Sequence, residues 1–448
     1  MKVFRFCLAL MGLAALPMAA LADIADQVTD FTLDNGLQVV VIEDHRAPVV
    51  VHMLWYRAGS ADETAGVSGV AHFLEHLLFK QTKTLAAGEF SRVVAENGGS
   101  DNAFTSTDFT AYFQRVAADR LDLMMRMEAD RMMNLDLSEE DILTEREVII
   151  EERNQRVENS PGALFREQSN AALYLNHRYG MPVIGWRHEM EKLSLSDAMA
   201  FYRQYYAPNN AVLIVAGDVV PDEVREMAVK NYGSLPANPD FRPRARPQEP
   251  PQIAARRLTY RDERVAQPYI TRNYLAPERD PGDQSTAAAL SLLAEILGGG
   301  QTSVLTQKLQ FETSTAVYSA AFYDGLSLDD SNFGFVVVPS ADVALQAAED
   351  ALDQALTGFL ETGVDLAQLD RIKTQFAASE IYARDNVQGL ANSYGAALTS
   401  GLELADIHAW PAAVQAVRPE DIMAAAKELL NEECSVTGWL MKPEEEAE

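Results

Sequence analysis

Apolar positions change their spacing several times along these 448 residues, and each change predicts a different element. Residues 6–16 form an apolar run behind Lys2 and Arg5, and Ala20-Leu21-Ala22 follows it. A basic start, a short apolar core and an A-x-A site describe a secretory signal peptide of residues 1–22. In residues 138–152, Ile142, Leu143, Ile149 and Ile150 sit near helical spacing behind Ser138 and an acid three residues on, which predicts a capped helix. Residues 97–113 begin with turn formers and run into Thr, Phe and Tyr, so they read as a strand, with a hairpin strand that uses Asn102 as its turn residue as the alternative. Val212 to Gly217 reads as a buried strand, and Ala287 to Leu297 as a long apolar helix.

Residues 236–253 crowd many prolines into a stretch without apolar periodicity, so 236–256 is expected to be a linker between domains 23–235 and 257–448. On both sides the order of elements is alike: a strand pair, a long apolar helix, then further strands and helices. That order predicts a repeat.

Composition narrows the partners. The net charge of −29, or −31 without Lys2 and Arg5, argues against nucleic acid or an anionic membrane surface. It suits basic peptides as substrates, although solubility alone also explains it. Beyond the signal segment no apolar run approaches the 18 or so residues of a membrane span. Cleavage before Asp23 would leave Cys434 as the sole cysteine, so no internal disulfide can form.

The chemistry concentrates in His72-Phe73-Leu74-Glu75-His76. On a helix, positions i, i+3 and i+4 lie within one turn, so both imidazoles can reach one metal ion while Glu75 stands beside it. Seven histidines and 66 acids in 448 residues make the chance expectation of H-x-x-[DE]-H roughly 0.02. A catalytic zinc takes three protein ligands and keeps a position for water, and the inverted H-x-x-E-H order is an inverzincin signature. A third, acidic ligand is therefore expected. Glu145 and Glu152 are seven apart and share a helix face, whereas Glu151 lies about 100° around from Glu152.

These residues resemble the M16 family of zinc peptidases, the pitrilysin and mitochondrial-processing-peptidase group. There, H-x-x-E-H is followed some 75 residues on by E-R-x-V-I-x-x-E, here Glu145 to Glu152. The resemblance implies Glu152 as the third Zn²⁺ ligand beside His72 and His76, and Glu145 as a carboxylate behind them. Glu151 is the rival ligand. It also implies Glu75 as the base that takes a proton from a zinc-bound water and passes it to the leaving amine. The run from Asn97 to Phe113 is similar to the family's edge strand, whose Asn-Ala pair, here Asn102 and Ala103, holds an extended peptide by strand addition. Tyr179 to Trp186 and Tyr205 to Ala211 match the family as well and look structural.

The implied fold is α+β: two homologous halves, each a mainly antiparallel sheet packed with helices. Laying Glu295 on Glu75 puts Leu292 and Ile296 at the histidine positions, so the second half is expected to lack a metal. Active members commonly use an Arg and a Tyr from a C-terminal half to hold the substrate carbonyl. Here Gln310 and Val317 stand at those positions, and Tyr318 falls one residue late, which on a regular strand would turn it to the other face. The expectation is a periplasmic, or secreted, zinc endopeptidase cleaving peptides or small unfolded proteins. A homologous chain bearing Arg and Tyr is the expected partner, as a heterodimer, with a homodimer as the alternative. The rival reading is a weakly active zinc-bearing subunit or scaffold.

Overall fold

In the computed structural model, residues 24–443 are described. The expected signal peptide of residues 1–22 and the acidic end of the chain lie outside them. Among the described residues no helix is long and apolar enough to cross a membrane.

Two sheets organise the chain. The first contains β1 (Val28–Thr32), β2 (Gln38–Glu43), β3 (Val49–Tyr56), β4 (Ser100–Thr105), β5 (Thr110–Ala117) and β6 (Ala211–Gly217), in the order β1-β2-β6-β3-β5-β4. The second contains β7 (Arg256–Arg261), β8 (Tyr269–Ala276), β9 (Ala316–Tyr323), β10 (Ser331–Pro339) and β11 (Ser435–Met441), in the order β7-β11-β8-β10-β9. Apart from β1, the two orders superimpose strand for strand. Each contains one parallel pair, β2 with β6 and β7 with β11, and is otherwise antiparallel. The apolar helix Ser285–Gly298 runs between β8 and β9 just as Val70–Leu77 runs between β3 and β4.

The stretch expected to be a single strand, residues 97–113, is instead parts of a hairpin. Its first strand, β4, pairs Asn102 with Phe113 and Ala103 with Tyr112 of β5. Asn102 lies within β4 and not in the turn, which falls at residues 106–109. The local composition missed this because Ser106, Thr107 and Asp108 are turn formers inside an otherwise strand-like run.

Both faces of the first sheet are buried, which accounts for the unbroken apolar sequence of β6. One face carries the main core, with Leu54, Phe73, Leu74 and Leu77. The other face, with Trp55, Val212 and Ile214, packs against Ala391, Tyr394 and Leu398 of the helix Val387–Thr399 from the second half. The exchange is reciprocal. Helix Pro161–Leu173 of the first half puts Phe165 against Val265 and Leu440 at the second sheet. At both crossings an aromatic ring lies on a glycine: a Cβ on Gly395 would fall 2.0 Å from the Trp55 ring, and one on Gly438 2.6 Å from the Phe165 ring.

Residues 233–255 contain neither helix nor strand, yet they do more than span a gap. Arg246 reaches Asp62 and Asp108 of the first half and Asp329 of the second, while Arg244 donates to the Asp108 and Thr399 carbonyls. Tyr179 also donates to Asp108, at 2.7 Å. The Asp62, Asp108 and Arg246 side chains are almost fully buried, so the charges are matched inside the junction and away from water.

In the second sheet the pairing between β9 and β10 slips at Val338 and Pro339: Tyr318 faces Val338, Ala316 faces Pro339, and Val317 is the extra residue. This bulge corrects the strand alternation assumed for Tyr318. Val317 and Tyr318 are both more than half exposed.

The Trp55 contact gives a direct test of the exchanged helix. Gly395→Ala should destabilise the protein by about 1–3 kcal/mol through overpacking. Gly358→Ala, at a helical site with nothing within 4 Å, should stabilise it by a few tenths to about 1 kcal/mol. Urea unfolding of the two variants checks the opposite signs.

Candidate metal centre

The helix Val70–Leu77 is built to present one polar face. Phe73, Leu74 and Leu77 are fully buried in the core, which turns His72, Glu75 and His76 toward a cleft. Its first turn is held from outside. Glu63 accepts hydrogen bonds from the Gly69 and Ala71 backbone N–H groups, each at 2.9 Å, where free donors and the helix dipole favour an anion. Burial pushes the Glu63 carboxyl up to about 8, against the pull of those N–H groups. Gly69 has φ of +87°, and a Cβ there would fall 2.5 Å from the Ile184 carbonyl, so the helix start fits only against a bare backbone.

The second helix, Glu139–Arg153, starts at Ser138 with a capping box closed by Asp141. Ile142 and Ile149 are buried, and Glu145 and Glu152 come off toward the histidines. Glu152 Oε2 lies 3.4 Å from His72 Nε2 and 3.2 Å from His76 Nε2. Glu151 is exposed and bonds the Asn154 and Gln155 amides. Between the two candidates, the fold therefore brings Glu152 to the histidines.

Zn²⁺ fits these donors. His72, His76 and Glu152 each offer a ligand atom within 4.8 Å of the others, the only such trio of His, Cys, Asp or Glu among the described residues. Glu152 Oε2 is buried and makes no hydrogen bond, which is costly for a carboxylate oxygen unless a cation satisfies it. Its separations from the two Nε2 atoms match the edge of about 3.3 Å expected between N and O ligands at about 2.0–2.1 Å from a tetrahedral zinc.

Supporting contacts surround the trio. Glu145 Oε1 lies 2.9 Å from His76 Nδ1, the ring nitrogen turned away from Glu152, and Lys80 Nζ holds the other Glu145 oxygen at 2.6 Å. Burial opposes charge on both imidazoles. His72 is pushed down to about 4 by burial and by the neighbouring His76, whereas at His76 the contacts with Glu145 and Glu152 overcome burial and raise it to about 9. The carboxylates thus create a potential that favours a cation at the open side of the histidines. The Glu75 carboxyl is raised by burial, while the Thr105 hydroxyl, donating to Oε2 at 2.6 Å, works in the opposite direction.

Asn102, Ala103 and Thr105 of β4 line the same cleft, whose volume is about 970 Å³. Asn102 Oδ1 accepts from the Ala103 N–H at 2.9 Å. Glu145 stands behind His76 and not on the cleft wall. Of the supporting residues that motif reading did not single out, Lys80 is four residues after His76 and Thr105 lies in the β4 segment. Glu63 had no local signal at all.

The comparisons with known proteins agree with this geometry. The family model described as "Insulinase (Peptidase family M16)" matches residues 38–186, and the one described as "Peptidase M16 inactive domain" matches 192–376. The chain belongs to the M16 peptidase family. It is 35% identical to the zinc protease PqqE of Helicobacter pylori over 371 residues, which is 81% of this chain and 82% of that one. The uncharacterized zinc protease YmxG of Bacillus subtilis is 26% identical over 349 residues, 78% of this chain and 82% of its own. Among solved structures, a protease from Helicobacter pylori superimposes with a TM-score of 0.85 at 30% identity, covering 93% of this chain and 99% of that one. The first half of the periplasmic protease PqqL from Escherichia coli shares the fold, with a TM-score of 0.80 at 22% identity and coverage of 93% and 92%. The second family model begins before β6, a central strand of the first sheet, so the sequence division and the sheet division of this M16 chain do not coincide.

Glu152→Gln should lower zinc affinity at least tenfold, whereas Glu151→Gln should leave it within about twofold, because only the first touches the histidines. Competition with a chromogenic chelator measures both.

Proposed function

We propose that this M16 chain is an exported zinc-dependent endopeptidase acting on peptides or small unfolded proteins. The observation that carries the reading is a buried carboxylate, Glu75, in one cleft with the His72, His76 and Glu152 trio and with the free edge of β4. Bound by that trio, Zn²⁺ would act as a Lewis acid and bring the pKa of a water toward neutrality.

The rest is the work of the chain's own groups. Thr105 occupies Glu75 Oε2, leaving Oε1 to take the proton of the attacking water and later return it to the departing amine. Glu145 and Lys80 hold the His76 ring so that Nε2, not Nδ1, is offered to the metal. An extended peptide would add to β4, its carbonyl replacing Asn102 Oδ1 on the Ala103 N–H. Strand addition along β4, six residues from Ser100 to Thr105, would engage a peptide's interior backbone and call on neither terminus, which favours endopeptidase action. Export to the periplasm rests on residues 1–22.

Glu75→Gln should keep the zinc, since no ligand changes, and lower kcat by on the order of 100-fold or more as the base is lost. Metal analysis and a quenched-fluorescence peptide assay on the same sample test this; a variant with full activity would end the mechanism.

A second reading, a zinc-bearing subunit that needs a homologous partner, is favoured by one observation. Gln310, at the position where an arginine is expected, spends its amide on Ser319 Oγ at 2.9 Å. On that reading the chain alone binds zinc and cleaves poorly, and mixing with an Arg- and Tyr-bearing homologue raises kcat at least tenfold. Strong cleavage by the chain alone rejects it.

A further inference from the structure

Arg156 is a side chain of the metal cleft for which the steps above have no use. It extends from the segment Asn154–Glu158, where the helix carrying Glu152 widens into a π-helical turn, a distortion that is frequent at functional sites. Its Nη1 lies 2.9 Å from Glu152 Oε1, the oxygen turned away from the histidines, and the side chain is 72% exposed. An ion pair that open to water adds little to stability, so fold maintenance does not explain the placement.

The charge inventory of the cleft makes the placement informative. Carboxylates of Glu75, Glu147, Glu151 and Glu152 line it, and Arg156 is the one Lys or Arg among the described residues that do. When water adds to a peptide carbonyl, the new C–O bond forms as the π pair moves onto the carbonyl oxygen and the proton goes to Glu75. That oxygen becomes an anion beside the three remaining acidic side chains, Glu147, Glu151 and Glu152, so a cation placed beforehand is worth most there. A guanidinium has five N–H donors in a rigid fork, and the ion pair with Glu152 engages one end of it.

We propose that Arg156 is a catalytic residue that binds the carbonyl oxygen as it becomes an oxyanion, anchored for the purpose by the outer oxygen of Glu152. The inference rests on the peptidase reading and adds to it that the chain supplies its own oxyanion cation from the metal-bearing half. Arg156 also fixes Glu152 to present a single oxygen, Oε2, to the histidines.

The test separates this role from a mere strut for Glu152. Zinc-loaded full chain, wild type and Arg156→Ala, is titrated calorimetrically with a phosphinic peptide, whose tetrahedral anion mimics the reacting carbonyl. The same two proteins carrying Glu75→Gln are titrated with an uncleaved substrate peptide. Arg156→Ala is expected to weaken phosphinic-peptide binding on the order of 100-fold, to change substrate binding less than about threefold, and to retain one zinc per chain. Arg156→Lys, which keeps the charge but loses the fork, should fall between. Equal loss for both ligands, unchanged phosphinic binding, or loss explained by missing zinc each overturns the proposal. Wild-type protein that binds zinc and substrate normally while Arg156→Ala behaves like it counts against Arg156 alone; wild-type protein that binds neither zinc nor peptide overturns the peptidase reading with it.

Discussion

Everything at the centre depends on a carboxylate from one helix meeting two imidazoles from another that begins some seventy residues earlier. Glu152 Oε2 must come within 3.2–3.4 Å of both Nε2 atoms, and no local interaction can enforce that. The fold enforces it by fixing each helix separately. Val70–Leu77 is buried along one side and clamped at its first turn by Glu63, while Glu139–Arg153 is capped at Ser138 and seated on Ile142 and Ile149. The unsatisfied oxygen of Glu152 is the residue of that constraint. Three donor groups are held together with one buried carboxylate oxygen that no hydrogen bond satisfies, so a cation bound among them would meet an arrangement already formed.

The electrostatics of the cleft follow from the same arrangement. Glu75 is raised by burial, so it is a better base than an ordinary surface carboxylate, while Thr105 keeps it from rising freely. Glu145 moves the other way, lowered by His76 and Lys80 despite its burial, so it remains an anion behind the ring. The two glutamates beside the trio are thus shifted in opposite directions by their surroundings. That division matches a proton acceptor on one side and a fixed orienting charge on the other.

The two halves share a strand order but not a chemistry. Where the first half has His72 and His76, the second has Leu292 and Ile296 buried in its own core. What the second half contributes is structural cover. Helix Val387–Thr399 seals the back of the first sheet at Trp55, helix Pro161–Leu173 returns the contact at the second sheet, Arg246 joins the hairpin turns at Asp108 and Asp329, and Arg244 ties the Asp108 carbonyl to the Thr399 carbonyl at the end of the exchanged helix. The turn that ends β4 carries Asp108, which makes the junction contiguous with the edge strand beside the metal trio.

Short-range periodicity determined a good deal of this protein by itself. H-x-x-E-H has to share one helix face, Ser138 and Asp141 have to cap the next helix, Glu145 and Glu152 have to align at seven residues, and the repeat of strand pair and apolar helix on either side of the prolines has to give two like sheets. Each follows from spacing within a single element. Tertiary structure decided what spacing cannot carry: that Glu152 and not Glu151 meets the histidines, that residues 97–113 break at Ser106 into a hairpin, and that a bulge at Val317 puts Tyr318 outside with it. It also decided the partners with no sequence signature, Glu63 under the helix start and Arg246 within a proline-rich stretch that local composition marks as a bare linker. The reason is physical: a pattern of apolar positions specifies which face of an element is buried, but the burial of a charge depends on which distant charge or N–H group arrives opposite it, and that is known only once the chain has closed.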